Sequence, residues 1–165
     1  MSPEELAMLR HYLIKNEGWH QAVYYDSLGI PTVGVGFNLR RADAAEKIRA
    51  LDLDYEKLLK REQMLSDAQI ETLFAQDLHT AAAAAEALIP GWVALAAGRK
   101  KALTDMAFNL GAGGLAKFSR FLAAVNRENW QAAEAEIMNS LYARQVGPRA
   151  RRNAAAIRHG DASPS

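Results

Sequence analysis

The chain has 165 residues, 50% of them hydrophobic and 24% charged, with a formal net charge of +1 and no cysteine. That composition belongs to an ordinary globular domain, long enough to bury a core without disulfides or a structural metal. It excludes a disulfide framework, thiolate metal ligation and a cysteine nucleophile, and no uninterrupted apolar run approaches the roughly 18 residues that span a bilayer.

The first element is announced by Ser2-Pro3-Glu4-Glu5. Ser2 can cap, Pro3 suits the first helical position, and Glu5 completes a capping box. Leu6, Leu9 and Leu13 recur at helical spacing, so the sequence predicts a helix from 3 to about 17, stopped by Gly18. The period then changes. Val23-Tyr24-Tyr25 favours a strand, Asp26-Ser27-Leu28-Gly29 a turn, and Ile30 to Phe37 alternates, with Val33, Val35 and Phe37 on one face. This predicts a β-hairpin followed by a short third strand. Gly34 and Gly36 fit either a tight bend or the close approach of a ligand.

Residues 43–61 read as two short helices interrupted near Asp52. Ser66-Asp67-Ala68-Gln69 is a second capping box, opening a long helix to about 89 that buries Ile70, Leu73, Phe74 and Leu78 and ends at Pro90-Gly91. Ala102, Leu103, Met106, Ala107 and Leu110 line an apolar helix broken by Gly111-Ala112-Gly113-Gly114. Further helices are expected near 115–125, at 129–142 with Asn129 as cap and Leu141 inward, and at 148–158. The last five residues, 161–165, are expected to fray.

Charge is distributed unevenly. Residues 1–98 hold 9 basic and 14 acidic side chains, residues 99–165 hold 11 and 5, and Leu141 to Arg158 contains five arginines and no acid. Such a stretch suits a polyanion or is simply a solvated helix face. No nucleic-acid motif accompanies it, and the four histidines show no metal-ligand spacing, so neither a nucleic-acid partner nor a metal or other cofactor is expected.

Three residues form a candidate constellation: Glu17 at a helix end, Asp26 in the hairpin turn and Thr32 on the next strand. Cleaving a glycosidic bond requires a carboxylic acid at the leaving oxygen and a carboxylate serving the opposite face of the sugar. A helix end facing a hairpin can supply both, and a hydroxyl beside the second can hold water. On residue type and spacing alone, the plainer reading stands beside this one: a turn-forming Asp and a strand-filling Thr.

The strings around these residues go further. Asn-Glu-Gly-Trp-His at 16–20, Tyr-Tyr-Asp-Ser at 24–27 and Gly-Ile-Pro-Thr-Val-Gly-Val-Gly at 29–36 resemble the catalytic stretch of the T-even phage lysozymes, glycoside hydrolase family 24. Looser similarity continues through 66–78, 101–111, 129–133 and 148–150. The resemblance implies an α+β, mainly α, lysozyme-like fold in one domain. Its small N-terminal lobe (about 18–65) would carry a short antiparallel sheet, joined by a connecting helix (about 66–89) to a helical C-terminal lobe (about 92–160) that includes the first helix.

It implies a muramidase that hydrolyses the β-1,4 bond between N-acetylmuramic acid and N-acetylglucosamine with inversion and causes lysis. Glu17 would be the general acid, Asp26 the base or electrostatic partner, and Thr32 an aid in placing water. Gly36, Phe108, Asn109 and Arg149 would meet the substrate, Arg149 matching an arginine that pairs with the catalytic Glu. The departures concern the cleft rather than the chemistry, and one is Leu141, which stands where some relatives have an aromatic. Phe37 stands where many relatives have a histidine that pairs with an acid matching Asp77, so Asp77 is expected to find another partner. Asn109 stands where Gln is common.

The expected partners are peptidoglycan glycan strands, met by a monomer without membrane insertion or bound nucleic acid. Made without a signal peptide, it would act in the periplasm or outside the cell, as a phage endolysin, a secreted antibacterial effector or a tail-associated module. The alternative class is an inactive lysozyme fold that binds peptidoglycan or a partner protein.

Overall fold

The computed structural model describes residues 1–161; of the tail expected to fray, 162–165 lie outside the described residues. The chain divides into two units, Leu13–Asp77, and Met1–Tyr12 together with Leu78–Ser165. The division falls inside two helices, so each of these helices contributes residues to both units.

The first of them, α1 (Pro3–Glu17), starts as its sequence predicts. Ser2 N donates to Glu5 Oε2 (2.8 Å) and Glu5 N to Ser2 Oγ (3.1 Å), which satisfies two of the amides a helix start leaves open. At the other end Gly18, at φ +80°, closes the helix by donating its N–H to Ile14 O at 2.8 Å.

The unit Leu13–Asp77 holds a three-stranded antiparallel sheet in the order β1 (His20–Tyr25), β2 (Pro31–Gly34), β3 (Phe37–Asn38). Thr32 lies opposite Tyr24 on one side and Asn38 on the other. The alternating run Ile30–Phe37 is therefore not one strand. It turns back on itself at Val35-Gly36, with Gly34 at φ +64° and Gly36 at φ +65°, so that Val33 and Phe37 face each other. Two left-handed glycines make that reversal possible where L-residues would be strained. Val33, Val35 and Phe37 are all buried as the alternation implied.

Two short helices follow, α2 (Ala44–Arg49) and α3 (Tyr55–Leu59). The segment between α3 and the next helix then runs beside β1. Arg61 Nε donates to Val23 O at 2.7 Å and Leu65 N to Gln21 O at 2.9 Å, so edge carbonyls of the outer strand are paired.

The long helix α4 (Asp67–Leu88) opens on its own capping box, with Ser66 N to Gln69 Oε1 at 2.8 Å and Gln69 N to Ser66 Oγ at 3.2 Å. Ile70, Leu73, Phe74 and Leu78 are buried along it. Asp77 has the partner its sequence context demanded. Arg41 Nη1 meets Asp77 Oδ2 at 2.7 Å, while Arg41 Nε and Nη2 grip Asp43 at 2.9 Å each. The guanidinium lies 4.5 Å above the Phe37 ring. Burial works against the Arg41 charge, but the hydrogen bonds it donates to Asp43 and Asp77 outweigh this and hold the group above its ordinary value.

The other unit is helical. After a 3-10 turn (Trp92–Ala94) come α5 (Ala97–Ala116), α6 (Ser119–Asn126), α7 (Trp130–Met138), α8 (Leu141–Val146) and α9 (Pro148–His159). The glycine run expected to break α5 produces a kink at Gly111, which stands at φ +74°, ψ +163°. α9 packs against α5, α7 and α8. Its core takes in Leu103, Met106, Phe121, Ile137 and Ile157, each worth about 1.5–3 kcal/mol of burial.

The helix expected over 129–142 is two helices. Asn139 ends α7, and the Ser140 side chain caps α8 by accepting from Ala143 N at 3.1 Å. The break rotates Leu141 outward, so it is 62% exposed rather than inward.

Candidate active site

Glu17 is the last residue of α1, and its side chain lies over the reversal of the hairpin. A Cβ built on Gly36 would fall 2.7 Å from Glu17 Oε2 and 2.9 Å from its Cδ. Any other residue there would displace the carboxylate, so the close approach that Gly36 permits is that of the Glu17 carboxylate itself. Gly36 is thus part of how the acid is seated.

Asp26 is held by its own turn. Its Oδ1 accepts from Leu28 N (2.8 Å) and Ile30 N (2.9 Å), while its backbone exchanges bonds with Gly29 and Ile30. Oδ2 carries no bond among the described residues. Thr32, only 5% exposed, donates its hydroxyl hydrogen to Ile30 O at 3.0 Å. The oxygen can therefore offer only lone pairs to anything else that reaches it.

Tyr24 links these groups, and sequence reasoning did not single it out. It sits directly opposite Thr32 in the sheet. Its phenol donates to the main-chain oxygen of Glu17 at 3.4 Å, and its ring lies 4.1 Å from that of His20. Burial pushes the phenol's pKa up, and the negative charges of Glu17 and Asp26 push it further. Both carboxylates therefore act on one side chain. The available signal was the strand alternation that puts residue 24 on the same face as its pairing partner.

Glu17, Asp26, Thr32 and Gly36 all belong to the unit Leu13–Asp77. The other expected site residues lie in the helical unit. Phe108 packs partly buried against the helical core, and Asn109 is exposed two residues before the kink.

Arg149 is buried and chelates Asp105, Nη2 to Oδ1 at 2.7 Å and Nε to Oδ2 at 3.0 Å. Asn153 Nδ2 donates to Asp105 Oδ2 (2.6 Å) and to the Tyr142 oxygen (2.8 Å), and Tyr12 donates to Asn153 Oδ1 (3.1 Å). Burial, and after it the Asp105 charge, raises the Tyr142 pKa. This network makes Arg149 a fixed rather than a mobile cation. Asp105 sits among Ala102, Leu103, Met106 and Ala107 on the buried face of α5, and its complete burial had no sequence signal. Among the described residues, no three His, Asp or Glu side chains gather as a metal site.

The chain is similar to known proteins. The chain is 30% identical over 147 residues to the pre-baseplate central spike protein of Enterobacteria phage T4, covering 85% of this chain but only 26% of the spike protein. Two Dictyostelium discoideum proteins named as probable T4-type lysozymes are similar over nearly their full lengths. One is 28% identical, across 89% of this chain and 91% of its own. The other is 25% identical, across 94% and 96%. The phage lysozyme family matches residues 14–155, a span that takes in the hairpin, both carboxylates, Asp105 and Arg149. By that match the chain belongs to the phage lysozyme family and is a lysozyme-type glycoside hydrolase.

Proposed function

We propose that the protein hydrolyses the β-1,4 bond between N-acetylmuramic acid and N-acetylglucosamine in bacterial peptidoglycan, with inversion, and that this cleavage lyses cells. Glu17 is the general acid that protonates the leaving glycosidic oxygen. Asp26 is the base, or the electrostatic partner, on the opposite face. A water that donates one hydrogen to Asp26 Oδ2 and the other to Thr32 Oγ1 is left with its lone pair turned toward the anomeric carbon. The bond from Thr32 to Ile30 O suits this role, because it commits the hydroxyl to accepting.

Phe108, Asn109 and Arg149 are proposed as glycan contacts, with Arg149 fixed by Asp105. The substrate places the reaction outside the cytoplasm, in the periplasm or beyond; no described helix is long and apolar enough to cross a membrane.

The observation that carries this reading is the seating of the Glu17 carboxylate on Gly36, on the sheet whose first turn fixes Asp26. The test is E17Q. It should keep the wild-type melting temperature and lose roughly 10²–10⁴-fold in the release of reducing ends from purified sacculi. Near-normal release by the variant would remove Glu17 from the reaction. Fresh product should be the α-anomer; an initial β-anomer would indicate a covalent intermediate instead. Wild-type protein that binds sacculi and releases no reducing ends would be a binding module.

A further inference from the structure

The edge of the sheet carries a second surface. Between β1 and the segment that runs beside it lies an open groove of about 570 Å³, lined chiefly by Trp19, His20, Gln21, Tyr24, Arg61 and Asp67. Edge carbonyls of β1 are already spent on Arg61 and Leu65, so the groove offers side chains rather than a place for an added strand.

Those side chains form a set. Trp19 is 36% exposed, and its indole N–H donates to Asp67 Oδ1 at 2.8 Å, an oxygen that Gln21 Nε2 also approaches at 3.4 Å. The bond satisfies the polar edge of the ring and holds it still, leaving a fixed apolar plate at the surface.

Arg61 stands at φ +60° just beyond α3, where its N–H bonds Leu58 O and Glu62 N bonds Lys57 O. That closing position ordinarily belongs to glycine. An arginine there gives up conformational ease for its side chain. Nε secures Val23 O, and Nη1 and Nη2 carry no bond among the described residues, which leaves a planar fork of donors. Asp67 Oδ2 is likewise uncommitted. The lining holds one cation and one anion, so it has no net field to select a polyanion or a charged peptide.

A rigid aromatic plate with donors and acceptors around it suits a pyranose. The C–H face of the sugar rests on the ring, while its hydroxyl and acetamido groups meet Arg61, Gln21 and Asp67. Tyr24 ties the groove to the proposed reaction centre, since the same side chain lines it and donates to Glu17 O.

We propose that this groove is a glycan-holding site for an N-acetylated hexosamine, tethering the protein to the strand it cuts. Only the identity of the polymer rests on the muramidase reading.

The experiment is an NMR titration of the full chain carrying E17Q, which leaves sugar uncut, with N-acetylglucosamine tetramer and, separately, with a free stem tetrapeptide. The Trp19 indole N–H should shift saturably with the tetramer and not with the peptide. R61Q added to this background should weaken that response about five- to tenfold, while any response at the Gly36 amide persists. An unmoved Trp19 indole, a response to the peptide alone, or an R61Q protein that folds and responds undiminished would each overturn the proposal.

Should R61Q fail to fold, the two titrations of the parent protein still decide. Reducing-end release by wild type is scored separately, so loss of the hydrolase reading and loss of this site are distinguishable.

Discussion

Substituting Gly36 by alanine tests how the acid is seated, and Gly34 supplies the control. Both stand in the left-handed region, at φ +65° and +64°. An alanine at either position costs about 1–2 kcal/mol of backbone strain, which for a chain of this size lowers Tm by roughly 2–8 °C. They differ in what the new methyl meets. At Gly34 it lies 3.5 Å from Ile70 Cγ2, an ordinary contact; at Gly36 it lies 2.7 Å from Glu17 Oε2 and 3.1 Å from Cγ.

The Glu17 carboxylate is the end of a flexible side chain and yields readily, so G36A should be scarcely less stable than G34A. Yielding moves the carboxylate, however, and a displacement near 1 Å costs about 10²-fold in rate. Reducing-end release from sacculi, measured well below both melting temperatures, should therefore be near normal for G34A and lower by about 10²-fold for G36A. Equal activity in the two variants would refute the seating argument, whatever their stabilities.

Other perturbations have equally definite outcomes. D105N removes the carboxylate's charge from the buried pair with Arg149 and should lose about 3–5 kcal/mol in urea unfolding; a loss under 1 kcal/mol would mean the network is solvated. S66A removes the side-chain cap of α4 and should cost about 1 kcal/mol, read as a lower urea midpoint at unchanged slope.

R41M probes pH. The hydrogen bond from Arg41, first among the causes, holds the Asp43 carboxyl below its ordinary value. A lowered folded-state value stabilises above the unfolded value, about 3.9, and that stabilisation fades as pH falls through the folded one. The advantage of wild type over R41M should be full at pH 6 and shrink below about pH 4. An advantage that grew toward acid would contradict the pairing.

Much of this was legible where one local signal had one structural meaning. The two capping boxes at Ser2 and Ser66 placed helix starts to the residue, because a serine and a Glu or Gln three positions on can do little else before an apolar run. The Asp26 turn and the stop at Gly18 were equally direct.

The misreadings share a cause, in that the deciding partner lay far along the chain or the pattern was ambiguous. Ile30 to Phe37 alternates like one strand, yet the bend its two glycines offered divides it into two. Trp130 to Leu141 keeps helical spacing, yet Ser140 starts a new helix and turns Leu141 out. Asp105 looks misplaced on an apolar helix until Arg149, 44 residues later, is beside it. Arg41 could not be matched to Asp77 by spacing, since 36 residues separate them. Tyr24 became visible only through its opposite neighbour, Thr32.

The covering of β1 bears on how the enzyme survives at its place of work. A sheet of three short strands exposes most of its length as rim, and an open rim recruits strands from neighbouring chains. Here the main-chain oxygens of Gln21 and Val23 are occupied from within the same molecule. The rim is thereby closed to strands of neighbouring chains at these two positions, and losing the Arg61 side chain would reopen part of it.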